Sequence, residues 1–486
     1  MNVTLVLPDL RTSVAGYSGA FAHGIAYLSR YLRKAGHSVS LLHMTSVPSK
    51  TDFQAGIAAT TPDLVGFSVI YHFFPIARQW AEWAKEITSV PIIFGGTYPT
   101  LDPETVISDP SVDMLCRGEG EQAFPELCDA LEKGVGPGSV RNIWWKQDGK
   151  TTRNEIRPLV ANLDSLDFPD YSVHDYDGLF FTKTDTLSVQ FSRGCPFSCH
   201  YCSSRALADV YSAVGRYHRF MSPQRAVELL VHLKTSYPRT ECFVFNDSIL
   251  FPKKSWLETF SQLYGSQVGL PFVGNCRPEL LDRDVAHTLR EMGCRLVCFG
   301  IESGNETINQ QVLGRRLTQE QIRRAFDMAH EAGLRTVAYS ILGCPFETRA
   351  TLLETVKLVA ALKTEIATSY IFYPFPGTRA YEMCRDSGFL TNRHFLNNDD
   401  GVMIKQPQLS DTEVLFFHGW YKRLVRAYDF IYGLPQPARG ILVRVADTML
   451  LSRHLPCKVL IAIKTLLRTL RWRILLMKRV HAPARF

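Results

Sequence analysis

Three closely spaced cysteines are the clearest chemical feature of this sequence. Cys195, Cys199 and Cys202 stand in the segment SRGCPFSCHYCSS with the spacing C-x3-C-x2-C. A closed structural zinc site uses four ligands, usually as two spaced pairs, and nothing nearby supplies a fourth in that rhythm. His200 lies inside the segment, but its neighbours would compete for the same face of the metal. Three soft thiolates suit a [4Fe–4S] cluster whose fourth iron stays open to bind another molecule.

The elements around these cysteines predict a series of six βα units. Ser222 followed by Pro223 predicts a helix start, and Thr318 with Gln321 predicts a capping box. Six successive units predict an open or partial barrel that carries its chemistry at the carboxyl ends of the strands. The cysteines follow the first of these strands. The predicted strands are Leu187–Phe191, Cys242–Asn246, Phe272–Asn275, Leu296–Gly300, Thr336–Leu342 and Thr368–Tyr373.

The first part of the chain also alternates short β-type runs with helical patterns. Gly36 is placed to end the first helix. This alternation predicts a parallel sheet of five strands with helices on both faces, which binds ligands outside the carboxyl ends of its strands. The predicted strands are Val3–Leu7, Val39–Met44, Leu64–Ser68, Ile92–Phe94 and Met114–Cys116.

Two loops at those strand ends contain paired glycines. FGGTYPT spans residues 94–100 and CRGEGEQAF spans residues 116–124. Glycine lets a backbone approach a large ligand closely, although the same residues also make tight turns. Both interpretations of these loops remain open at the level of the sequence.

Length and composition indicate a globular protein of about three domains. The chain has 486 residues, of which 46% are hydrophobic and 21% charged, and this excludes disordered and collagen-like classes. We predict an α/β domain at 1–135, a linker at 136–185, the partial barrel at 186–395 and a basic helical region at 396–486.

The N-terminus and the cysteine usage predict a cytoplasmic protein. MNVTLVLPDL has no basic lead and no cleavage site, so we expect no secretory signal. No uninterrupted apolar run approaches 18 residues, so we expect no membrane-spanning helix. In the cytosol, clustered cysteines are metal ligands more often than disulfides.

The positive charge is concentrated at the C-terminal end. Residues 421–486 contain 14 Lys and Arg against two Asp, while the whole chain carries +7. Apolar and basic residues interleave from Ile441 to Val480, which is typical of an amphipathic helix at a membrane surface. A helix packed on the protein's own barrel is the alternative. We expect no nucleic acid as a partner, because no reading domain accompanies the charge.

The cysteine spacing, with Tyr201 before the last cysteine, resembles the radical S-adenosylmethionine superfamily. The resemblance implies that the open iron chelates the methionine amino and carboxylate groups. Reductive cleavage would then give a 5′-deoxyadenosyl radical. It also implies an electron donor such as flavodoxin or ferredoxin.

Further segments resemble that superfamily in the same order along the chain. The resemblance assigns Tyr201 to the S-adenosylmethionine site, and Asn246 and Asp247 to the methionine amino group, although relatives often have an acidic pair there. It assigns Glu302 to the ribose or the methionine moiety and Gly343 to adenine. Arg277 would pair with the carboxylate, for which arginine has suitable geometry. A surface acid at Glu302 and an ordinary ion pair at Arg277 are the alternatives.

The first domain resembles the cobalamin-binding domain of class B radical enzymes, so that the resemblance covers roughly residues 1–400. In relatives, the nucleotide tail of cobalamin is buried in the sheet. The D-x-H-x-x-G signature is absent here, which implies cobalamin without a histidine from that motif. Tyr98 stands where many relatives have histidine. The cobalamin residues implied are Ser68, Gly95, Gly96, Thr97, Tyr98, Gly118, Glu119 and Gly120.

The resemblance implies a cobalamin-dependent methyltransferase that acts on an unactivated carbon. Hydrogen abstraction by the adenosyl radical would precede methyl delivery from methylcobalamin. The alternatives are a cyclase or rearranging enzyme of the anaerobic porphyrin-ester cyclase type, a non-catalytic iron–sulfur sensor and an ordinary zinc protein. The substrate would be a small or lipid-like molecule, and the basic tail implies peripheral contact with the inner face of the membrane.

Overall fold

A computed structural model describes residues 1–464, apart from residues 12, 13 and 15. Most of the described strands lie in two large sheets, one of seven strands and one of six. Two separate cores cover the faces of the first sheet, and a larger core joins the second sheet to its helices. The predicted α/β fold class is confirmed.

The first sheet holds five parallel strands and two antiparallel ones in the order β2-β1-β3-β4-β5-β6-β7. The order reverses between β1 and β3, and such a switch point opens a crevice at the carboxyl ends of the strands. The elements of this unit are β1 (Asn2–Pro8), α1 (His23–Lys34), β2 (Ser38–Met44), α2 (Lys50–Ala59), β3 (Leu64–Ser68), α3 (Phe74–Lys85), β4 (Ile92–Gly95), α4 (Thr97–Leu101), α5 (Pro103–Ser108), β5 (Met114–Cys116), α6 (Ala123–Glu132), β6 (Ile143–Gln147) and β7 (Lys150–Arg153).

The first unit extends beyond the predicted boundary at residue 135. Strands β6 and β7 lie in the segment predicted as a linker, and β6 pairs antiparallel with β5. The pattern was hard to recognise because β7 carries mostly exposed polar residues. Only the remainder, 154–185, connects the units. There Ser29 donates a hydrogen bond to Asp170 (2.7 Å), and Tyr171 donates one to the Ser188 carbonyl (2.9 Å).

The second sheet consists of six parallel strands in the order β15-β14-β13-β12-β11-β8, which is an open barrel. A short antiparallel pair, β9 and β10, lies beside it. The elements of this unit are β8 (Thr186–Val189), β9 (Ser192–Arg193), α7 (Ser203–Val210), β10 (Arg219–Phe220), α8 (Pro223–Ser236), β11 (Cys242–Phe245), α9 (Lys254–Gln267), β12 (Phe272–Cys276), α10 (Arg283–Glu291), β13 (Cys294–Glu302), α11 (Gln319–Glu331), β14 (Arg335–Leu342), α12 (Arg349–Ala361), β15 (Ile366–Ile371) and α13 (Arg379–Asp386).

The predicted helix signals are confirmed where their hydrogen bonds are seen. The Ser222 hydroxyl accepts from the Arg225 N–H (3.1 Å) at the start of α8. Thr318 and Gln321 form the reciprocal capping box of α11. Gly36 follows α1 with φ +89°, the left-handed conformation that glycine adopts without strain.

Two long helices follow the barrel: α14 (Asp411–Tyr432) and α15 (Ala438–Leu451). Helix α14 packs along β15 and α12, and the Tyr421 hydroxyl lies 2.7 Å from the Ser340 hydroxyl of β14. A further helical segment covers residues 457–464. Among the described residues, no helix combines the length and the apolarity needed to cross a bilayer. The last part of the predicted amphipathic tail, from residue 465 onward, lies outside the described residues.

Candidate functional site

The three cysteines lie in the loop between β9 and α7, at the carboxyl end of the barrel. Cys199 is buried, whereas Cys195 and Cys202 are half-buried. Burial raises the pKa of the Cys195 and Cys202 thiols, and the neighbouring thiols raise it further. No group of three His, Cys, Asp or Glu side chains in the described chain is placed to hold a single metal ion. Each cysteine of a cluster binds a different iron, so its thiols need not converge on one point.

His200 supports the loop from behind. Its backbone N–H donates to the Leu313 carbonyl (2.9 Å), and its ring nitrogen Nδ1 lies 3.3 Å from the Val312 carbonyl. A Cβ at Gly314 would lie 2.5 Å from the His200 ring. The histidine therefore packs against the segment after β13.

Arg277 contacts the cysteine loop directly. Its Nη1 donates to the Cys199 sulfur (3.1 Å), and its guanidinium lies 3.8 Å from the centre of the Phe197 ring. Glu279 accepts from Nη2 (2.5 Å). Nε has no hydrogen-bond partner in the described part of the chain. Arg277 thus holds the cysteine loop. Its contact with the carboxylate of S-adenosylmethionine stays a prediction, and Nε is the donor left to make that contact.

Glu302 joins the same network from the end of β13. Its Oε1 accepts from the Tyr201 hydroxyl (2.8 Å) and from Arg315 (2.7 Å). Arg315 also lies 3.7 Å from Glu279. Glu302 has φ +61° at a shift in register between β13 and β14, which turns its side chain toward the loop. A continuous set of opposite charges therefore fixes Tyr201 and Cys199 relative to the strand ends.

Asp247 has a different role in the structure from the one predicted. It is fully buried, and its Oδ1 accepts from the N–H groups of Phe191 (3.0 Å) and Ser192 (2.7 Å) and from the Ser192 hydroxyl. Burial raises its pKa to about 7, and these hydrogen bonds act in the opposite direction. Asp247 thus fixes the strand that leads into the cysteine loop. Asn246 is exposed, and its contact with the methionine amino group stays a prediction.

Gly343 begins the turn after β14 with φ +80°. Its N–H and that of Cys344 donate to Glu347 (2.7 and 2.9 Å). Burial raises the pKa of Glu347 to about 8, while the two N–H groups lower it. A Cβ at residue 343 would lie 3.0 Å from Val414, so only glycine fits this turn comfortably. Its contact with adenine stays a prediction.

A cavity of about 370 Å³ opens at the switch point of the first sheet. The barrel closes its other side with residues 190–194, so that Gly194, directly before Cys195, lines the same cavity. Its volume and its mixed lining are typical of a ligand site. Seven of the residues predicted to contact cobalamin line it: Ser68, Gly95, Gly96, Thr97, Gly118, Glu119 and Gly120.

Tyr98 is the predicted cobalamin residue that does not line this cavity. Its hydroxyl donates to Asp102 (3.1 Å), and its ring packs on Tyr71 and Phe74. The turn at Gly96, with φ +110°, directs the chain into α4 and turns the tyrosine into the core. His72 packs on Tyr373, with the centres of the two rings 3.9 Å apart.

Buried and half-buried charges join the two units beside the cavity. Arg193 pairs with Glu119 (3.0 Å) and Glu121 (2.5 Å), and Arg219 pairs with Glu119 (2.5 Å). Burial opposes the charge of Arg193, yet Glu121 and Glu119 raise its pKa. The predicted cobalamin residue Glu119 therefore also binds the barrel to the first sheet.

Sequence reasoning missed several residues of the cavity. His23, at the start of α1, lies 3.1 Å from the Ser188 hydroxyl, and burial lowers its pKa to about 3. Tyr211 and Tyr217 stack 5.3 Å apart against the glycine turns, and a Cβ at Gly118 would lie 3.0 Å from the Tyr211 hydroxyl. Arg193 also lines the cavity and was missed. Among these missed residues, only its position two residues before Cys195 could have indicated a role in the site.

Two family models match this chain in the expected order. The model of the B12 binding domain matches residues 17–128. The model of the radical SAM superfamily matches residues 189–359. The first match contains the glycine loops of the cavity, and the second contains the three cysteines.

Known proteins also resemble most of the chain. An uncharacterized methyltransferase of Pyrococcus horikoshii is 30% identical over 79% of this chain and 83% of its own length. The anaerobic magnesium-protoporphyrin IX monomethyl ester cyclase of Rubrivivax gelatinosus is 24% identical over 79% of this chain and 70% of its own length. The solved structure of OxsB, a cobalamin-dependent S-adenosylmethionine radical enzyme, has a TM-score of 0.71 at 15% identity, and covers 99% of this chain and 81% of its own.

We predict that Asp247→Asn changes how stability depends on pH. The folded pKa near 7 lies above the ordinary 3.8, so between these values the folded state alone holds the proton. Stability from this group is therefore full below pH 4 and is lost as the pH rises toward 7. That difference corresponds to roughly 4 kcal/mol. Asparagine keeps an oxygen acceptor but does not ionise.

Thermal unfolding of both proteins from pH 5 to pH 8 tests this. The melting temperature of the wild-type protein should fall relative to that of Asp247→Asn as the pH rises. Parallel curves would show that Asp247 does not titrate in this range. Asp247→Ala is the comparison that removes the acceptor, and it should be less stable at every pH.

We also predict that Arg277 raises the reduction potential of a cluster held by this loop. A hydrogen bond to a ligating sulfur favours the reduced, more negative cluster. A difference of about 1 kcal/mol between oxidation states moves a one-electron potential by about 40 mV. Arg277→Gln should therefore lower the potential in an EPR-monitored redox titration. Arg283→Gln, at an exposed arginine on α10, is the control and should leave the potential unchanged.

Proposed function

The chain belongs to the cobalamin-binding radical S-adenosylmethionine enzymes, and on that premise we propose that it is a methyltransferase that acts on an unactivated carbon. Its cofactors are a [4Fe–4S] cluster, S-adenosylmethionine and cobalamin. One observation carries the proposal: the cavity of the first sheet is lined by Gly194, the residue directly before Cys195 of the cysteine loop. A methyl group and a substrate radical would therefore be held side by side.

The cysteine loop fits a cluster with one open iron. It offers three thiols, and His200 is occupied with the backbone behind it. Arg277 adds a positive charge and a donor beside Cys199, as a negatively charged thiolate requires. Cys195, Cys199 and Cys202 would hold the cluster.

The first cavity fits the nucleotide tail of cobalamin. It lies at the carboxyl ends of parallel strands, and glycines at residues 95, 96, 118 and 120 leave it open. His23 and Ser68 offer polar groups at its wall. His23, the histidine in this lining, is not part of a D-x-H-x-x-G motif.

The protein's own groups position the reactants and exclude water. When bound, the cluster and S-adenosylmethionine supply a hydrogen-abstracting carbon radical, and cobalamin supplies a methyl group. Glu302, Tyr201, Arg315 and Glu279 fix the cysteine loop. Asn246 and Gly343 would orient the methionine and adenine ends. The barrel wall keeps solvent from the radical, which prevents side reactions.

Ring formation is the alternative within the same family. It is favoured by the similarity to the cyclase of Rubrivivax gelatinosus, which covers as much of this chain as the methyltransferase does. The higher identity to the methyltransferase supports methyl transfer.

The substrate, the electron donor and the location complete the proposal. We propose a small or lipid-like substrate and a flavodoxin or ferredoxin as the source of electrons. We place the enzyme in the cytoplasm, in peripheral contact with the inner face of the membrane. The basic C-terminal region supports this location.

The test of the proposed function is transfer of an isotopic label. Anaerobically reconstituted protein with cobalamin and S-adenosylmethionine labelled on the methyl group should form 5′-deoxyadenosine and S-adenosylhomocysteine, and should place the label on a product. A product without the label would support cyclisation instead. Cys199→Ser should lose iron and both nucleoside products, whereas Cys242→Ser, away from the loop, should keep them. Retention of full activity by Cys199→Ser would contradict the cluster.

Cobalamin binding is tested separately by filling the cavity. A Cβ at Gly95 meets only ordinary contact, with Cys116 at 3.7 Å, so a larger side chain enters the cavity without strain in the backbone. Gly95→Val should lower the affinity for hydroxocobalamin at least about tenfold, measured from bound corrin, because it occupies ligand volume. Gly265→Ala, at a glycine with open space around it, is the control. Unchanged binding by Gly95→Val would place cobalamin elsewhere.

A further inference from the structure

Exposed apolar side chains are concentrated in the C-terminal part of the described chain. Among the described residues, 16 large apolar side chains are exposed, and eight of these lie between residues 430 and 463. The group comprises Phe430, Ile441, Leu442, Val445, Met449, Leu451, Val459 and Ile463. Scattered exposed apolar residues need no explanation, but a contiguous set indicates a binding surface.

Helix α15 presents most of this surface on one face. Ile441, Val445 and Met449 recur every four residues and are 54–58% exposed. The opposite face is docked: Asp447 accepts from Lys357 (2.7 Å) and from the Tyr428 hydroxyl (2.6 Å). The helix is therefore held in place by its docked side. Its apolar residues face outward because of their positions in the sequence, and not because the helix is loosely packed.

The charge on this surface has one sign. Exposed basic residues border the apolar face: Arg439, Arg444, Arg453 and Lys458. Asp447 is the one acidic residue between residues 438 and 464, and it lies on the docked face, where it pairs with Lys357. The following residues, 465–486, contain six Lys and Arg and no acid. The surface and the chain that continues from it are both cationic.

We propose that the outward face of α15 and of residues 457–463 is a docking surface for an anionic lipid bilayer. Apolar side chains enter the boundary between headgroups and acyl chains, while the bordering Arg and Lys pair with lipid phosphates. A second copy of this surface carries the same positive sign, and repulsion between like charges disfavours a dimer through it. The surface gives the peripheral contact proposed above a defined location, and it does not depend on methyl transfer.

The position of this surface relates it to the barrel mouth. Arg349, at the start of α12, donates to the carbonyl groups of Leu450 (3.4 Å) and Ser452 at the end of α15. Helix α12 follows β14, so its start lies at the carboxyl end of the barrel strands, where Gly343 and the cysteine loop also lie. The docking surface therefore begins at the rim through which a lipid-like substrate would enter.

Vesicle binding by the full-length protein tests the surface. The protein should sediment with vesicles of phosphatidylglycerol and phosphatidylcholine at least about tenfold better than with phosphatidylcholine alone. Binding should weaken from about 0.1 M to about 1 M salt, since the Debye length falls from about 10 Å to about 3 Å. Equal binding to both vesicles, or none, would overturn the proposal.

Charge-introducing variants locate the contact. The double substitution V445E/M449E changes two exposed side chains and should reduce vesicle binding at least about tenfold without changing the melting temperature. V47E/V135E, at exposed valines in the first unit, is the matched control and should bind as the wild type does. Wild-type binding by V445E/M449E would overturn the proposal. The proposal would also be overturned if the wild type formed a dimer in solution, or a complex with duplex DNA, and V445E/M449E abolished it.

The two proposals fail independently. 5′-Deoxyadenosine formation in the absence of vesicles should be the same for V445E/M449E and the wild type, because the helix face touches no residue of the cofactor sites. Loss of vesicle binding with retained nucleoside cleavage would show that the surface and the chemistry are separate functions, as proposed. Loss of cleavage in the same variant would contradict that separation.

Discussion

The arrangement of both cofactor sites depends on one half-buried arginine, Arg193. It lies between the Ser192 that Asp247 fixes and the Gly194 that precedes the cysteine loop. Its charge is balanced by Glu119 and Glu121 from the first sheet. Removing one partner leaves an uncompensated charge, which costs about 3–5 kcal/mol in a fully buried pair and less in this half-buried one. The loop that would hold the cluster is therefore positioned by the barrel and by the cobalamin-binding unit at the same time.

A second charged network positions the same loop from the barrel side. It runs from Cys199 through Arg277 and Glu279 to Arg315, and from there to Glu302. Positive and negative groups alternate along it, so that each buried charge has a partner of opposite sign. Such networks are favourable only when nearly every member is satisfied, and they then specify one geometry. Two sets of ion pairs thus hold a loop that has little regular structure of its own.

This double support explains why two cofactors can cooperate in one chain. A substrate radical must meet a methyl donor before it meets water, and a small displacement of either group slows the reaction strongly. The cavity at the switch point and the cysteine loop share the wall formed by residues 190–194. The C-terminal helices contribute differently, since α14 closes the side of the barrel beside β15 and α15 turns a cationic, apolar face outward. The cofactor sites and the surface proposed to contact the membrane are therefore separate.

The sequence by itself determined what depends on local spacing: the three-cysteine loop, the eleven parallel strands, the helix caps and the glycine turns that line the cavity. Each of these follows from residues a few positions apart, through strand and helix periods and backbone conformation. Only the tertiary structure decided what depends on distant partners. Arg193 meets Glu121 across 72 residues, and Asp247 meets Phe191 across 56. The same reason turned Tyr98 into the core, because side-chain direction after a turn is set by what the fold packs against it. Local pattern thus specifies which elements form, while the balance of buried charge at their junctions specifies which side chains reach the site.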